Sequence, residues 1–252
     1  MSSIEARVKV SVVTVVRSDA PGLALTMESV AAQDYSPLEY IVVDGASTDG
    51  TLGVLRGREA EITRWVSEPD GGIYEAMNKG TRLAQGEYVC FMNAGDAFVS
   101  PTTVSLMFNP SPTAELVWGD CIIESARGEE YDCARYVLKT LHRQMTVSHQ
   151  SLFVKRQALL DRPFDESFRI AADYDFLCER LLDGASWEYK PFPVSRINDR
   201  GVSARVFTTS IREKRRVSLS RFPGKKIQVL FYYSLLWLYM HAKQAWAGFR
   251  AR

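Results

Sequence analysis

Histidine and cysteine are scarce in this 252-residue chain, with three and four residues respectively. The cysteines Cys90, Cys121, Cys133 and Cys178 never stand in Cys-x-x-Cys spacing. That leaves no zinc ribbon, and all four read as reduced thiols, Cys90 as a small core residue inside an apolar run. No apolar run reaches the length of about 20 residues needed to span a bilayer. The first residues, MSSIEARVKVSVV, lack the long apolar core of a secretory leader, so a cytosolic protein is expected. No internal repeat and no low-complexity tract stands out. At 46% hydrophobic, the chain can bury a sizeable core, which excludes disorder along most of its length.

Net charge is also nearly absent, at +1, but the balance hides an asymmetry. From Arg205 to Arg252 there are eleven Lys or Arg and one Glu, which leaves residues 1–204 at −9. An acidic body followed by a basic, aromatic tail points to a tail that meets an anionic surface. No nucleic-acid partner is expected.

Strands and helices alternate along the body. VKVSVVTVV (8–16) is nearly continuously apolar and rich in β-branched residues, as in a parallel strand covered on both faces. Arg17-Ser18-Asp19 closes it with a helix-cap signal, and a helix is expected over 23–33. Further strands are expected at 38–44, 62–68, 87–93 and 115–120, with helices at 71–86 and 172–185. The fold class is therefore α/β, a Rossmann-like, doubly wound, mostly parallel sheet flanked by helices. Beyond about residue 125 the rhythm weakens into short strands and loops.

Ligands of such sheets bind beyond the C-terminal strand ends. Acids recur there: Asp44, Glu68, Asp70, Asp96 and Asp120. Gathered carboxylates repel unless a cation offsets them, and a divalent metal is the simplest candidate. Asp96, just past an apolar strand, suits Mg2+ or Mn2+, and Gly95 lets the backbone approach a diphosphate. The same Asn93-Ala94-Gly95-Asp96 turn also suits a plain strand–helix connection capped by Asp96.

Seven blocks in order make a more specific case. They are SVVTVVRSD (11–19), VVDGASTDGT (42–51), SEPDGGIYEAMNKG (67–80), GEYVCFMNAGD (86–96), HQSLF (149–153), ADYDF (172–176) and NDRGVS (198–203). On these the chain resembles glycosyltransferase family 2 enzymes of the GT-A fold, in particular the bacterial branch that builds O-antigen and exopolysaccharide. The resemblance spans roughly residues 8–205. It implies that Thr14 and Val16 line the nucleotide pocket, that Asp44 binds the base, and that Asp70 contacts the nucleotide. Asn93 and Asp96 fall at the family's Asp-x-Asp position, where Asn93 replaces the first acid and leaves Asp96 as the metal ligand.

Asp173 aligns with the acid that takes the acceptor proton. An inverting transfer needs a base across the anomeric carbon from the leaving diphosphate, and only the leaving group needs the metal. Asp175 stands two residues on, so the two do not share a helix face; capping the 173–183 helix is the other reading of both. His149 corresponds to a loop facing the acceptor, or is a structural histidine bonded to a carbonyl. Arg200 could clamp the diphosphate from a closing loop, or sit in solvent.

Two units are expected, a GT-A domain at 1–205 and a basic, aromatic helical tail at 206–252. From Ile227 to Ala242 the tail carries no charged residue. Sixteen helical residues reach roughly 24 Å, against the about 30 Å of a bilayer core. Arg221, Lys225 and Lys226 precede it, Lys243, Arg250 and Arg252 follow, and Trp237, Tyr239 and Trp246 favour interfaces. An amphipathic helix lying on anionic lipid is expected; packing on the domain, or a homodimer through the tail, is the alternative.

Together these readings imply an inverting glycosyltransferase, peripheral on the inner face of the cell membrane. It would move a sugar from a nucleotide-sugar donor, UDP-linked, to a hydroxyl of a glycan acceptor carried on polyprenyl diphosphate. A sugar nucleotidyltransferase would carry a glycine-rich loop after its first strand, which TVVRSDAPG lacks. An inactive nucleotide-sugar sensor gains weight from Asn93 and loses it through Asp96 and Asp173.

Overall fold

The computed structural model describes residues 7–198 and 206–250, with side chains through Tyr239. Arg200 and Arg252, the 205/206 boundary, and the side chains of Lys243, Trp246 and Arg250 lie outside the described residues.

Four parallel strands form one side of a single mixed sheet: β1 (Val10–Val16), β2 (Leu38–Asp44), β3 (Arg64–Ser67) and β4 (Tyr88–Phe91), in the order β3-β2-β1-β4. The other side is built from β5 (Ala97–Phe98), β6 (Leu116–Ser125), β7 (Gly128–Asp132), β8 (Leu152–Lys155) and β9 (Trp187–Asn198). There the order continues β4-β8-β6-β9-β5, with β7 on β6. β8 runs antiparallel to β4 and β6, and β5 antiparallel to β9, whereas β6 and β9 pair parallel, so the sheet is mixed beyond β4.

Every residue of β1 is buried, as its continuous apolar pattern requires. Alternate side chains serve two cores. Val13 and Val15 face one with Ile41, Met77, Phe91 and Tyr174. Val10, Val12 and Val16 face the other with Leu23, Met27, Leu55 and Phe153. Helices α1 (Ala20–Ala31), α2 (Thr51–Gly57) and α4 (Thr103–Met107) accompany the second core; α3 (Ile73–Leu83), α5 (Val137–Thr140), α6 (Arg156–Asp161) and α7 (Ala172–Leu182) accompany the first. α1 begins where Asp19 caps it, its Oδ1 accepting from the Gly22 N–H at 3.0 Å, with Pro21 in the first turn.

Two tail helices follow, α8 (Phe207–Arg221) and α9 (Lys226–Arg250). α8 packs along α7. Arg221 donates to both oxygens of Asp175 at 2.8 Å, Ser218 meets the Tyr174 hydroxyl at 3.0 Å, and Glu213 accepts from the Arg169 and Ile170 N–H groups. α9 anchors through buried Val229 and Tyr233. Its other side is bare: Ile227, Phe231, Leu235 and Leu238 are 84, 67, 50 and 57% exposed along one stripe. Among the described residues no helix is long and apolar enough to cross a membrane.

Candidate active site

The site lies where β1, β2 and β4 end. α1 holds the turn after β4 in place. Thr26 Oγ1 donates to the Asp96 carbonyl at 2.6 Å and accepts from Gly95 N–H at 3.1 Å, and Gly95 N–H also reaches the Gly22 carbonyl at 3.0 Å. Gly95 has φ +93°, a left-handed conformation that favours glycine, and a Cβ there would find open space up to Asp19, 3.8 Å away. Asp96 follows, pinned before the short β5.

Antiparallel pairing supplies the next residues. Because β8 runs against β4, its entry lies at β4's exit. His149 and Gln150, in the turn just before β8, are thereby delivered to Asn93 and Asp96. Asn93 Nδ2 lies 2.8 Å from His149 Nε2, and Gln150 Nε2 donates to Asp96 Oδ2 at 2.7 Å.

Asp173, in the first turn of α7, closes the group. Its Oδ2 lies 3.0 Å from His149 Nδ1, and its Oδ1 accepts from the Tyr74 hydroxyl at 2.9 Å and the Tyr174 N–H at 2.8 Å. Tyr74 stands at the start of α3, which opens onto the same sheet edge. Burial pushes the Asp173 carboxyl up, but the hydrogen bond and charge of His149, then the charge of Lys214 and the hydrogen bond from Tyr74, outweigh it. The net pKa lies below the ordinary carboxylate value. Asp96 has no such cluster. Burial dominates and raises it to about 6, with the Gln150 hydrogen bond pulling the other way.

The donor-side residues of the sequence reading sit on the other half of the edge. Thr14 is fully buried, its hydroxyl donating to the Met92 carbonyl at 2.7 Å and meeting Tyr40 at 2.9 Å. Val16 is buried at the end of β1. Asp44 is fully buried and accepts from the hydroxyls of Ser47 and Ser67 and from the Ser47 N–H. Asp70 is half-buried; burial raises its pKa, and the Gly72 N–H and Arg17 oppose that rise. A Cβ on Gly45 would stand 2.5 Å from Asp70 Oδ2, so glycine there admits the carboxylate. Ser18 and Ala46, at the two strand ends, both take positive φ (52 and 54°), and the Ser18 N–H bonds Ser47 Oγ at 2.7 Å. Strained backbone held by cross-loop bonds clusters at functional edges.

Asn93, Asp96, His149 and Asp173 are thus brought together. Asp175 is not among them, since it faces Arg221 on the tail side. Asp120, expected beyond a strand end, lies inside β6 and accepts from the Tyr131 and Tyr189 hydroxyls and the Ala134 N–H. The sequence reading gave no role to Gln150 or to the Tyr74 hydroxyl, although both sit inside quoted blocks.

Among the described residues, no three His, Cys, Asp or Glu side chains gather as a metal group. The oxygens present still fit a hard cation that takes one or two protein ligands and completes its shell with phosphate and water. Asp96 supplies a carboxylate, and Asn93 Oδ1 is a buried oxygen with no hydrogen-bond partner.

The chain matches the model of the family described as Glycosyl transferase family 2 over residues 11–155. An uncharacterized glycosyltransferase of Mycobacterium tuberculosis is 35% identical over 184 residues, 69% of each chain. A PGL/p-HBAD biosynthesis glycosyltransferase of Mycobacterium bovis is 30% identical over 167 residues, 61% of this chain and 62% of that one. Among solved structures, Staphylococcus aureus TarS 1–349 in complex with UDP-GlcNAc aligns with a TM-score of 0.67 at 18% identity, over 84% of this chain and 66% of that one. The chain spans 40% of the longer TarS structure. Glucosyl-3-phosphoglycerate synthase of M. tuberculosis, in complex with Mn2+, UDP and phosphoglyceric acid, aligns with a TM-score of 0.62 at 19% identity, over 85% and 78%. These structural likenesses establish the GT-A arrangement.

Proposed function

The chain belongs to glycosyltransferase family 2, and from that premise we propose that it transfers a sugar from a UDP-sugar, with inversion, to a hydroxyl of a lipid-linked glycan acceptor. The observation that carries the reading is the Asp173 carboxylate, fixed by Tyr74 and His149 beside the Asn93–Asp96 turn.

Asp173 accepts the acceptor proton in this reading. Its lowered pKa keeps it ionised at neutral pH, which makes it a ready but weak base. A weak base suffices because the acceptor oxygen turns acidic only as it bonds the anomeric carbon. Tyr74 fixes one carboxylate oxygen and leaves the other toward His149, so the side chain cannot swing away. Thr14, Val16, Asp44 and Asp70 line or brace the nucleotide half, Asp44 shaping the loop through Ser47 and Ser67. Asp96, with Asn93 Oδ1, would hold Mg2+ or Mn2+. When bound, such a cation supplies Lewis-acid stabilisation to the leaving diphosphate.

In this reading the acceptor is lipid-borne, such as a polyprenyl-diphosphate sugar, and the reaction belongs to cell-surface glycan synthesis at the inner membrane face; the character of the tail supports it. The bare stripe of α9 beside exposed Lys225 and Lys226 suits an anionic surface. Turnover of UDP-glucose, UDP-galactose and UDP-GlcNAc with polyprenyl-diphosphate-linked sugar in vesicles tests the reading. Transfer to the lipid acceptor that vanishes in Asp173→Asn is expected. Transfer from none of the three donors, or undiminished transfer in the variant, would contradict it.

A further inference from the structure

Glu213 is the one acid among the eleven basic residues of the tail. It stands half-buried on α8, and its carboxylate grips the body. Oε1 and Oε2 each accept from the Arg169 N–H at 3.1 Å, and Oε2 also accepts from the Ile170 N–H at 2.8 Å. These N–H groups belong to segment 162–171, which joins α6 to α7 and holds neither helix nor strand. Arg216, three residues on and so on the same face of α8, lays its guanidinium 4.6 Å from the centre of the buried Phe168 ring. Thus α8 clips three successive residues of that segment, 168–170.

Asp173 follows Ile170 by three residues. The helix that carries it starts without a cap of its own, since Ala171 at the N-cap position makes no side-chain cap bond. The entry to α7 is instead held from outside by the tail's carboxylate. Tyr74 and His149, which meet the Asp173 side chain, stand on α3 and in the turn before β8. A slip in the first turn of α7 therefore parts Asp173 from both, and a misplacement of about 1 Å can cost about a hundredfold in rate. We propose that Glu213 is a positioning residue: it fixes the entry to α7 and, through it, the Asp173 carboxylate, which makes α8 part of the catalytic unit. The claim rests on the reading of Asp173 as the base; the grip itself is geometric.

Amide hydrogen exchange tests the grip without turnover. The Tyr174 N–H bonds the Asp173 carboxylate at 2.8 Å and so reports its placement. Glu213→Ala is expected to speed exchange of the Ile170 and Tyr174 amides at least about tenfold and to leave the amides of β1 unchanged. Unchanged exchange at Tyr174 overturns the proposal. Equal acceleration throughout β1 overturns it too, because Glu213 would then serve the fold as a whole.

Kinetics with the UDP-sugar that the wild type turns over test the positioning. Glu213→Ala is expected to lower kcat by about ten- to a hundredfold, with KM for the donor and UDP affinity in Mn2+ nearly unchanged. Glu213→Gln keeps one acceptor oxygen and is expected to regain part of that loss. Added to Asp173→Asn, Glu213→Ala is expected to lower kcat little further, because no carboxylate is left to place. Losses that multiply in full, or UDP binding lost together with kcat, would overturn the role. Arg221→Ala loosens α8 at its other end and is expected to lower the melting temperature while the folded enzyme keeps its kcat. An Arg221→Ala enzyme as slow as Glu213→Ala would trace the loss to general destabilisation and overturn the role as well. Asp173→Asn separates the two claims. If it turns over normally, the base assignment fails; if it is impaired while Glu213→Ala is not, only the present inference fails.

Discussion

Asp173 and Asp175 stand two residues apart on α7 and turn their carboxylates to opposite sides of the helix. Asp173 meets His149 and Tyr74 at the sheet edge, whereas Asp175 is gripped by Arg221 of α8. Two residues of α-helix rotate a side chain by about 200°, so this separation follows from helical geometry alone. Their substitutions should therefore fail differently. Asp173→Asn is expected to cut kcat by about 10²- to 10⁴-fold with UDP binding retained. Asp175→Asn is expected to lower the melting temperature and leave the folded enzyme active. Steady-state kinetics and a thermal melt on both variants decide the matter, and a catalytically dead, fully stable Asp175→Asn protein would contradict it.

Arg221→Ala removes one partner of a largely buried pair; 10% of the Asp175 side chain is exposed and 23% of the Arg221 side chain. A carboxylate left unpaired in such a place costs about 3 kcal/mol. Chemical denaturation should show that loss. A second Asp175→Leu substitution should recover part of it, because the stranded charge is then gone.

Asp96 carries a pH signature of the opposite sign to a paired carboxylate. Burial raises its pKa from 3.8 to about 6 in the folded chain. The folded state thus prefers the protonated form. That contribution to stability is complete below about pH 4 and is lost as pH rises through about 6. Without a cation, the ionised Asp96 costs up to roughly 3 kcal/mol at pH 8. Asp96→Asn should therefore melt higher than wild type at pH 8 and equally at pH 4, while losing metal-assisted nucleotide binding. Metal affinity of the wild type should fall as pH drops below about 6, because the ligand must be deprotonated. Thermal melts across pH, with and without Mn2+, check both signs.

The exposed stripe of α9 gives a surface prediction. Phe231→Ser with Leu238→Ser removes two large apolar groups that are 67 and 57% exposed and so leaves the fold intact. Burying a Phe or Leu side chain contributes about 1.5–3 kcal/mol, so the double variant should bind vesicles of phosphatidylglycerol and phosphatidylcholine at least tenfold more weakly. Binding by the wild type should also weaken with salt. Equal flotation of wild type and variant would contradict a lipid-facing α9.

The left half of the sheet was legible because β1 and β2 are continuous apolar runs that can only be buried strands. The right half was not. β9 carries Pro191 and Pro193, residues that argue against a central strand, and the structure absorbs them with register shifts against β6 near Asp120 and Pro193. β8 is four residues long, and its antiparallel direction is set by tertiary pairing rather than by its own pattern. That direction is what brings His149 and Gln150 to Asn93 and Asp96, so their partners could not be read from spacing. Asp44 was visible as an acid at a strand end, whereas Asp120, expected at one, lies inside β6; no sequence feature announced the serines and tyrosines that occupy them. Asp173, in contrast, was singled out from its block, and the structure brings it to His149 and Tyr74 at the sheet edge.

Calorimetric titration of UDP into wild type, Asp96→Ala and Asp173→Asn, with and without Mn2+, tests the division of labour between the two carboxylates most directly. The account predicts that Mn2+ strengthens UDP binding to the wild type and to Asp173→Asn alike, and that Asp96→Ala loses this metal-dependent gain. UDP binding that is equally metal-dependent in Asp96→Ala, or that disappears in Asp173→Asn, would contradict it.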